Sequence, residues 1–289
     1  MQSTNYNNRT YYLFDTIQEF IKHVNGLKIN RTINKLQVHH TYAPSYSNWK
    51  TDIELRRIRN TVDYHKKTFG SSDIAQHYTI FPNGKIATGR DINSTPIGIK
   101  GWNTGAICCE IYGNFDVDTM TKEQKEAVIA FYGTWCKKLK LKATTDYIRP
   151  HCWFTSDGTY LGDYNSSKSA KSCPGKKFFG GNSKKSMKAN FLPLIQNYID
   201  GNKNATTTPN TTPSTSTSKK VMIKNISGED INIRNIADWN ASPTGKLKPG
   251  DSLTYVSTVD AKNGSTKMYK TKLGTYVTAS SKYTKLIEV

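Results

Sequence analysis

The sequence predicts a mixed sheet with flanking helices, an α/β domain, followed by a small all-β barrel. Three observations point that way. Apolar residues at helical spacing alternate with short apolar runs over residues 15–199; a segment nearly devoid of apolar side chains follows at 201–218; beyond it come only short strand-like runs punctuated by Gly, Pro, Asn and Asp. At 289 residues the chain exceeds a typical single domain, which suits two. The boundaries read as 1–200, 201–218 and 219–289.

Residues 15–24 carry Ile17, Phe20, Ile21 and Val24 at helical spacing and end near Gly26, so they form a first helix. Leu36-Gln37-Val38 reads as a short buried strand closed by His39. Residues 52–69 form a second helix, polar over most of its surface. Runs at 78–80 and 85–87 flank Pro82-Asn83-Gly84, a hairpin signal. Residues 107–112 make a buried-type strand. Thr121-Lys122-Glu123-Gln124 has the form of a capping box and opens a third helix through Val128, Phe131, Trp135 and Leu139. Residues 187–199 form the last helix, with Pro193 disturbing its middle. The Thr, Ser, Pro and Asn side chains of 201–218 bury too little surface to offset ordering entropy, which predicts an extended linker. Strands follow at 221–226, 231–234, 252–255, 267–271 and 274–279.

Chemistry concentrates in a dispersed trio: His39 in Val38-His39-His40-Thr41, His151 in Arg149-Pro150-His151, and Cys173 in Lys171-Ser172-Cys173-Pro174-Gly175. Two imidazoles and a thiolate hold a tetrahedral zinc ion while leaving the fourth corner for water or substrate, as in a hydrolase. Taken singly, each residue fits an ordinary core-edge position; the combination favours the metal. His40, next along the strand from His39, is expected on the opposite face and not on the same ion.

These residues resemble the zinc-dependent N-acetylmuramoyl-L-alanine amidase domain shared by phage endolysins, cell-wall amidases and peptidoglycan recognition proteins. The likeness spans Thr32 to Gly175: the Val38–Thr41 motif, the hairpin His77-Tyr78-Thr79-Ile80 to Gly84-Lys85-Ile86 with Gly89-Arg90, the stretch Glu110-Ile111-Tyr112-Gly113-Asn114, Pro150-His151 and Cys173-Pro174-Gly175. The resemblance implies Zn2+ on His39, His151 and Cys173, with Glu110 as general base and Lys171 stabilising the oxyanion. A buried salt bridge for Glu110 and a solvated loop position for Lys171 are the alternatives. Substrate-binding candidates are His40, Gln76, Tyr78, Arg90 and Trp153. One branch of the family uses a Tyr where Gln76 stands, which favours Glu110. The loop from His151 to Cys173 exceeds the family's usual length; it carries Asp157 and Asp163 as alternative third ligands and reads as a substrate wall or lid.

Residues 231–234 and 245–251 resemble the bacterial SH3-like domain appended to many wall hydrolases, although the Trp common in its later strands is absent. The expected function is hydrolysis of the amide between N-acetylmuramic acid and L-alanine, with the second domain holding the enzyme to the wall. A catalytically inactive peptidoglycan-binding protein of the same fold is the alternative. The net charge of +19 suits peptidoglycan and anionic wall polymers as partners. Charge alone also suits nucleic acid, but zinc-ligand motifs then have no purpose, so no specific nucleic acid is expected. The five cysteines lack disulfide-like spacing, which indicates synthesis in a reducing compartment. No export signal and no membrane span are read, so the expectation is synthesis in a host cytoplasm and action on the wall after release. Richness in Asn, Lys, Tyr and Thr suits an AT-rich, low-GC Gram-positive host, such as that of a clostridial phage.

Overall fold

Strand alternation positions the site, and it is seen in a computed structural model that describes residues 1–201, 221–264, 266–271 and 275–288. The expected linker, beyond Gly201, lies outside the described residues. The chain divides into two units, Met1–Asn210 and Thr211–Val289, each described by itself.

In the first unit the strands are β1 (Gln2–Tyr6), β2 (Arg9–Phe14), β3 (Lys35–His40), β4 (Tyr78–Ile80), β5 (Ile86–Thr88), β6 (Ala106–Ile111) and β7 (Ile148–Pro150). The helices are α1 (Ile17–Gly26), α2 (Glu54–Phe69), α3 (Lys122–Leu139), α4 (Lys184–Ser186) and α5 (Leu192–Ile199). The strands form one sheet in the order β1-β2-β5-β4-β6-β3-β7. Strands β4, β6, β3 and β7 run parallel, while β1, β2, β5 and β4 pair antiparallel.

Leu36, Val38, Tyr78, Ile80, Ile107, Cys109 and Ile111 alternate onto one face. There they share a core with Phe20 of α1, Phe131 and Trp135 of α3 and Ile195 of α5. On the other face Tyr11, Leu13, Phe81 and Ala87 pack against Ile58 and Val62 of α2. This second layer lies over the antiparallel half of the sheet. Beyond it the face over β6, β3 and β7 opens into a groove.

Each expected helix forms within about two residues of its sequence bounds, and Thr121 caps α3 by accepting from Gln124 N. The helical run expected over 187–199 is disturbed in its middle: a π-helical stretch, Met187–Phe191, leads directly into α5, whose first turn holds Pro193. In that wide π-helical turn Leu192 N donates to Met187 O five residues back, immediately before the proline, which has no N–H to continue the ladder. The hairpin β1–β2 was not among the sequence expectations. It turns at Asn7 and Asn8, both at positive φ, which two-residue hairpin turns demand. No helix among the described residues is long and apolar enough to cross a membrane.

The second unit is all β. Strands β8 (Val221–Asn225), β11 (Ser252–Asp260), β12 (Lys267–Thr271), β13 (Tyr276–Thr278) and β14 (Thr284–Glu288) form a sheet in the order β13-β12-β11-β8-β14. Strands β9 (Ile231–Ile233) and β10 (Gly245–Leu247) pair separately. Ile223, Ile231, Leu247 and Val277 make its core. Strand β11 runs further than the sequence pattern indicated, through a register shift between Tyr255 and Ser257; β10 and β14 were not foreseen.

One buried amide ties α3 to β4 and to the residue after β6 in the first unit. Gln124 Nε2 donates to Ile80 O and Tyr112 O, both at 2.9 Å, and its Oε1 accepts from Tyr46 OH. Replacement Gln124→Leu takes the side-chain donor from Tyr112 O and the acceptor from Tyr46 OH, while Ile80 O keeps Tyr112 N–H at 2.9 Å, and chemical denaturation of that variant should show a loss of about 1–3 kcal/mol.

Candidate metal centre and groove

Parallel register builds the site from one transverse row. Thr79 of β4 pairs with Glu110 of β6, and Glu110 pairs with His39 of β3. Val38 pairs with Pro150, so His151 follows at the end of β7, level with His39. All four lie toward the carboxyl ends of parallel strands, where open α/β sheets place ligands.

Cys173 arrives from a distant loop and is tied to the row by main chain. Cys152 N donates to Cys173 O at 2.8 Å, and His40 N donates to Cys173 Sγ at 3.3 Å. The next turn needs glycine: Gly175 has φ +107°, and a Cβ there would run into the main chain of Phe115. Asn182 Nδ2 holds Ser172 O at 2.7 Å, and Ser172 Oγ donates to Asp116.

The ligand atoms of His39, His151 and Cys173 all lie within 4.8 Å of one another. Cys173 Sγ stands 3.7 Å from His39 Nδ1. A tetrahedral zinc bound at about 2.0 Å to nitrogen and 2.3 Å to sulfur separates those atoms by about 3.5 Å, so the donor set fits. Among the described residues no other His, Cys, Asp or Glu joins this cluster. Asp157 is held by Thr155 and Thr159, and Asp163 accepts from Tyr164 N and Lys184 N. Neither approaches the trio.

Burial sets the protonation states. It lowers His39 well below the ordinary histidine value, with His151 and Lys171 adding to the effect. Burial likewise brings His151 and His40 down to about 4. These imidazoles are therefore neutral at pH 7, as metal ligation requires. Burial raises the Cys173 thiol, and Glu110 nearby adds to it. Glu110 is pushed up to about 8 by burial, with Lys171 pulling the other way. Among the described residues its carboxyl makes no ion pair within 4 Å; Lys171 acts on it only at longer range.

His39, His40, Glu110, His151, Lys171 and Cys173 line a groove of about 1160 Å³ together with Gln76 and Thr79. Lys171 is exposed at its edge. His40 reaches the groove although its neighbour His39 does too: β3 ends there, and the His40 ring lies against Phe115, whose N–H donates to Nδ1 at 3.1 Å. Gln76 is buried, donates to Thr79 Oγ1 at 3.1 Å, and leaves its own Oε1 without a protein donor.

Three substrate-binding expectations need correction. Tyr78 alternates to the helix side of β4, packed on Phe20 and Phe131. Arg90 spends its donors on Ile74 O, Asp73 O and Ser71 Oγ, fixing a loop. Trp153 is fully buried and donates to Asn182 O. The loop from His151 to Cys173 is not a lid either: its residues before Lys171 do not line the groove beyond His151. They fold back through a Phe154–Tyr160 bridge, with Arg149 over the Tyr160 ring.

Sequence reasoning missed the α2 wall, where Arg57, Asn60, Tyr64, His65 and Phe69 face the groove. Tyr64 and Phe69 are 56% and 67% exposed, and large aromatics on a polar helix were the available signal. It also missed Gln37 and Asn103, which sit behind His39.

A family model described as N-acetylmuramoyl-L-alanine amidase matches residues 29–176, half of the chain. The endolysin of Bacillus phage SPP1 is 45% identical over 71 residues, 25% of each chain. Peptidoglycan-recognition protein SC2 of Drosophila simulans is 29% identical over 87 residues, 30% of this chain and 46% of that one. The chain thus spans between a quarter and a half of these relatives. Among solved structures, N-acetylmuramoyl-L-alanine amidase LysC from Clostridium intestinale URNW aligns with a TM-score of 0.39 at 23% identity, covering 53% of this chain and 83% of that one. Drosophila PGRP-LB aligns at 0.42 and 18%, covering 52% and 79%.

The Glu110 environment makes a signed prediction. Its folded pKa lies above the unfolded value, so its protonated form favours folding at low pH, and that contribution is lost as pH rises through about 8. In chelator-treated protein, thermal melts of wild type and Glu110→Gln should diverge as pH goes from about 5 to about 9, the variant becoming the more stable.

Proposed function

This chain belongs to the N-acetylmuramoyl-L-alanine amidase family, and we propose that it is a zinc-dependent peptidoglycan hydrolase that cleaves the amide between N-acetylmuramic acid and L-alanine. The observation that carries this reading is the row itself: a His-His-Cys donor set in one groove with a buried Glu110 whose carboxyl exchanges its proton near the working pH. The groove has room for an extended chain. In this reading the function is that of an endolysin or autolysin acting on the wall after release.

His39, His151 and Cys173, all lining the groove, would hold the zinc. When bound, zinc supplies Lewis-acid chemistry, polarising a carbonyl and making water acidic near neutral pH. Glu110 takes a proton from the attacking water on its carboxylate oxygen and returns it to the departing alanine nitrogen. A carboxyl with pKa near the working pH suits both transfers. Lys171, exposed at the groove edge, would supply an ammonium to the developing oxyanion. His40 would offer a donor along the groove: with Nδ1 engaged by Phe115, the neutral ring carries its proton on Nε2.

For the second unit we propose an SH3-like wall-binding role. Its small antiparallel sheets around Ile223, Ile231, Leu247 and Val277 are compatible with such a barrel, and tethering raises the enzyme's concentration at its substrate. Peptidoglycan and anionic wall polymers are its proposed partners.

Digestion of purified peptidoglycan tests the activity. New L-alanine amino termini should appear, vanish with a zinc chelator, return with zinc, and fall to background in folded Cys173→Ser. Glu110→Gln should lower kcat by about 100- to 10,000-fold with little change in KM. Release of reducing sugar ends would refute the amidase reading; wall binding with no cleavage product would favour an inactive peptidoglycan-binding protein. Removing residues 202–289 should weaken lysis of whole walls by at least about 10-fold at low enzyme concentration while sparing cleavage of soluble fragments.

A further inference from the structure

We propose that Gln37 is a positioning residue that fixes the His39 imidazole for metal binding. The inference rests on the reading that His39, His151 and Cys173 hold zinc. Gln37 lies two residues before His39 on the same side of β3, is fully buried, and places Oε1 at 3.3 Å from His39 Nε2.

Its amide has one possible orientation. Nε2 donates to Trp102 O at 3.1 Å and to Asn103 Oδ1 at 3.0 Å. Asn103 Oδ1 is itself identified as an acceptor, because Gly98 N and Ile99 N both donate to it at 2.9 Å. With both neighbours acceptors, the NH2 end of Gln37 must face them and the oxygen must face His39. The His39 proton therefore sits on Nε2, and the Nδ1 lone pair is left pointing toward Cys173 Sγ. An orienting acceptor on the far nitrogen is what a ligating histidine needs to hold its tautomer and ring angle.

Packing leaves this contact no slack. A Cβ on Gly98 would overlap Gln37 Oε1 and come within 3.0 Å of His39 Nε2. The loop carrying Gly98 and Asn103 is buttressed from outside by the long segment between His151 and Cys173. There Gly158 lies against the main chain of Lys100 and Gly101, and Phe154 packs on Trp102. The extra length of that segment thus braces the back of the His39 mount and does not cover the groove.

Two measurements on the full chain test this. Nitrogen-15 NMR of chelator-treated wild type should show His39 protonated on Nε2; protonation on Nδ1 would overturn the proposal without any variant. Zinc affinity, read by competition with a chromophoric chelator, should weaken about 10- to 100-fold in Gln37→Leu. Equal affinity in a folded variant would also overturn it. If Gln37→Leu does not fold, the tautomer decides. Absence of zinc binding by wild type would instead remove the metal reading on which the proposal stands, a result distinct from either.

Discussion

Parallel register between β4, β6, β3 and β7 is the constraint on which the site depends. Because side chains alternate along a strand, a slip of one residue in β6 would exchange Cys109 for Glu110 and drive a carboxyl into the aromatic core beneath α3. The apolar members Val38, Tyr78 and Cys109 lock the register from one side. Their immediate successors His39, Thr79 and Glu110 are thereby presented as a row on the other. A packed core on one face thus supplies the precision of chemistry on the opposite face. Helix α2 completes the arrangement by covering the antiparallel half of that face and leaving the parallel half open.

The same alternation explains what the sequence could and could not tell. Helices α1, α2 and α3 and the strands around them declare themselves through spacing and a capping box, since those signals are local. The donors His39, His151 and Cys173 stand out through residue chemistry at separated points. Which of Tyr78 and Thr79 faces the groove depends on where β6 and α3 lie, and no local pattern carries that. Arg90 and Trp153 were read as groove residues because a guanidinium or an indole near a motif suggests contact with substrate. Both instead satisfy carbonyls, of Ile74 and Asp73 in one case and Asn182 in the other. Gln37 gave no signal at all, because a glutamine within a strand shows its value only through partners far along the chain.

Electrostatics explains how such a cluster can be preformed. Two imidazoles, a thiol and a carboxyl side by side would be costly to bury if charged, yet each is displaced toward its neutral form: the histidines downward, Cys173 and Glu110 upward. At neutral pH the row is consequently uncharged without a cation. Lys171 contributes the positive charge at its exposed edge, which lowers the histidines further and partly restrains Glu110. The high net charge of the chain therefore plays little part in setting these protonation states, since Lys171 is the one cation that acts on both the histidines and Glu110.

Neutral donors also need their lone pairs aimed, because a neutral imidazole can carry its proton on either nitrogen. For His40 that choice is made by Phe115 N–H on Nδ1, and for His39 by Gln37 Oε1 on the opposite nitrogen. Adjacent histidines on one strand end are thus set to different tasks by a single main-chain donor and a single side-chain acceptor. His39 turns a lone pair toward Cys173, and His40 turns an N–H away from Phe115. What separates the two imidazoles of the motif Val38-His39-His40-Thr41 is therefore the partner behind each ring: the Nδ1 lone pair of His40 is taken by Phe115 N–H, and that of His39 is left toward Cys173 Sγ.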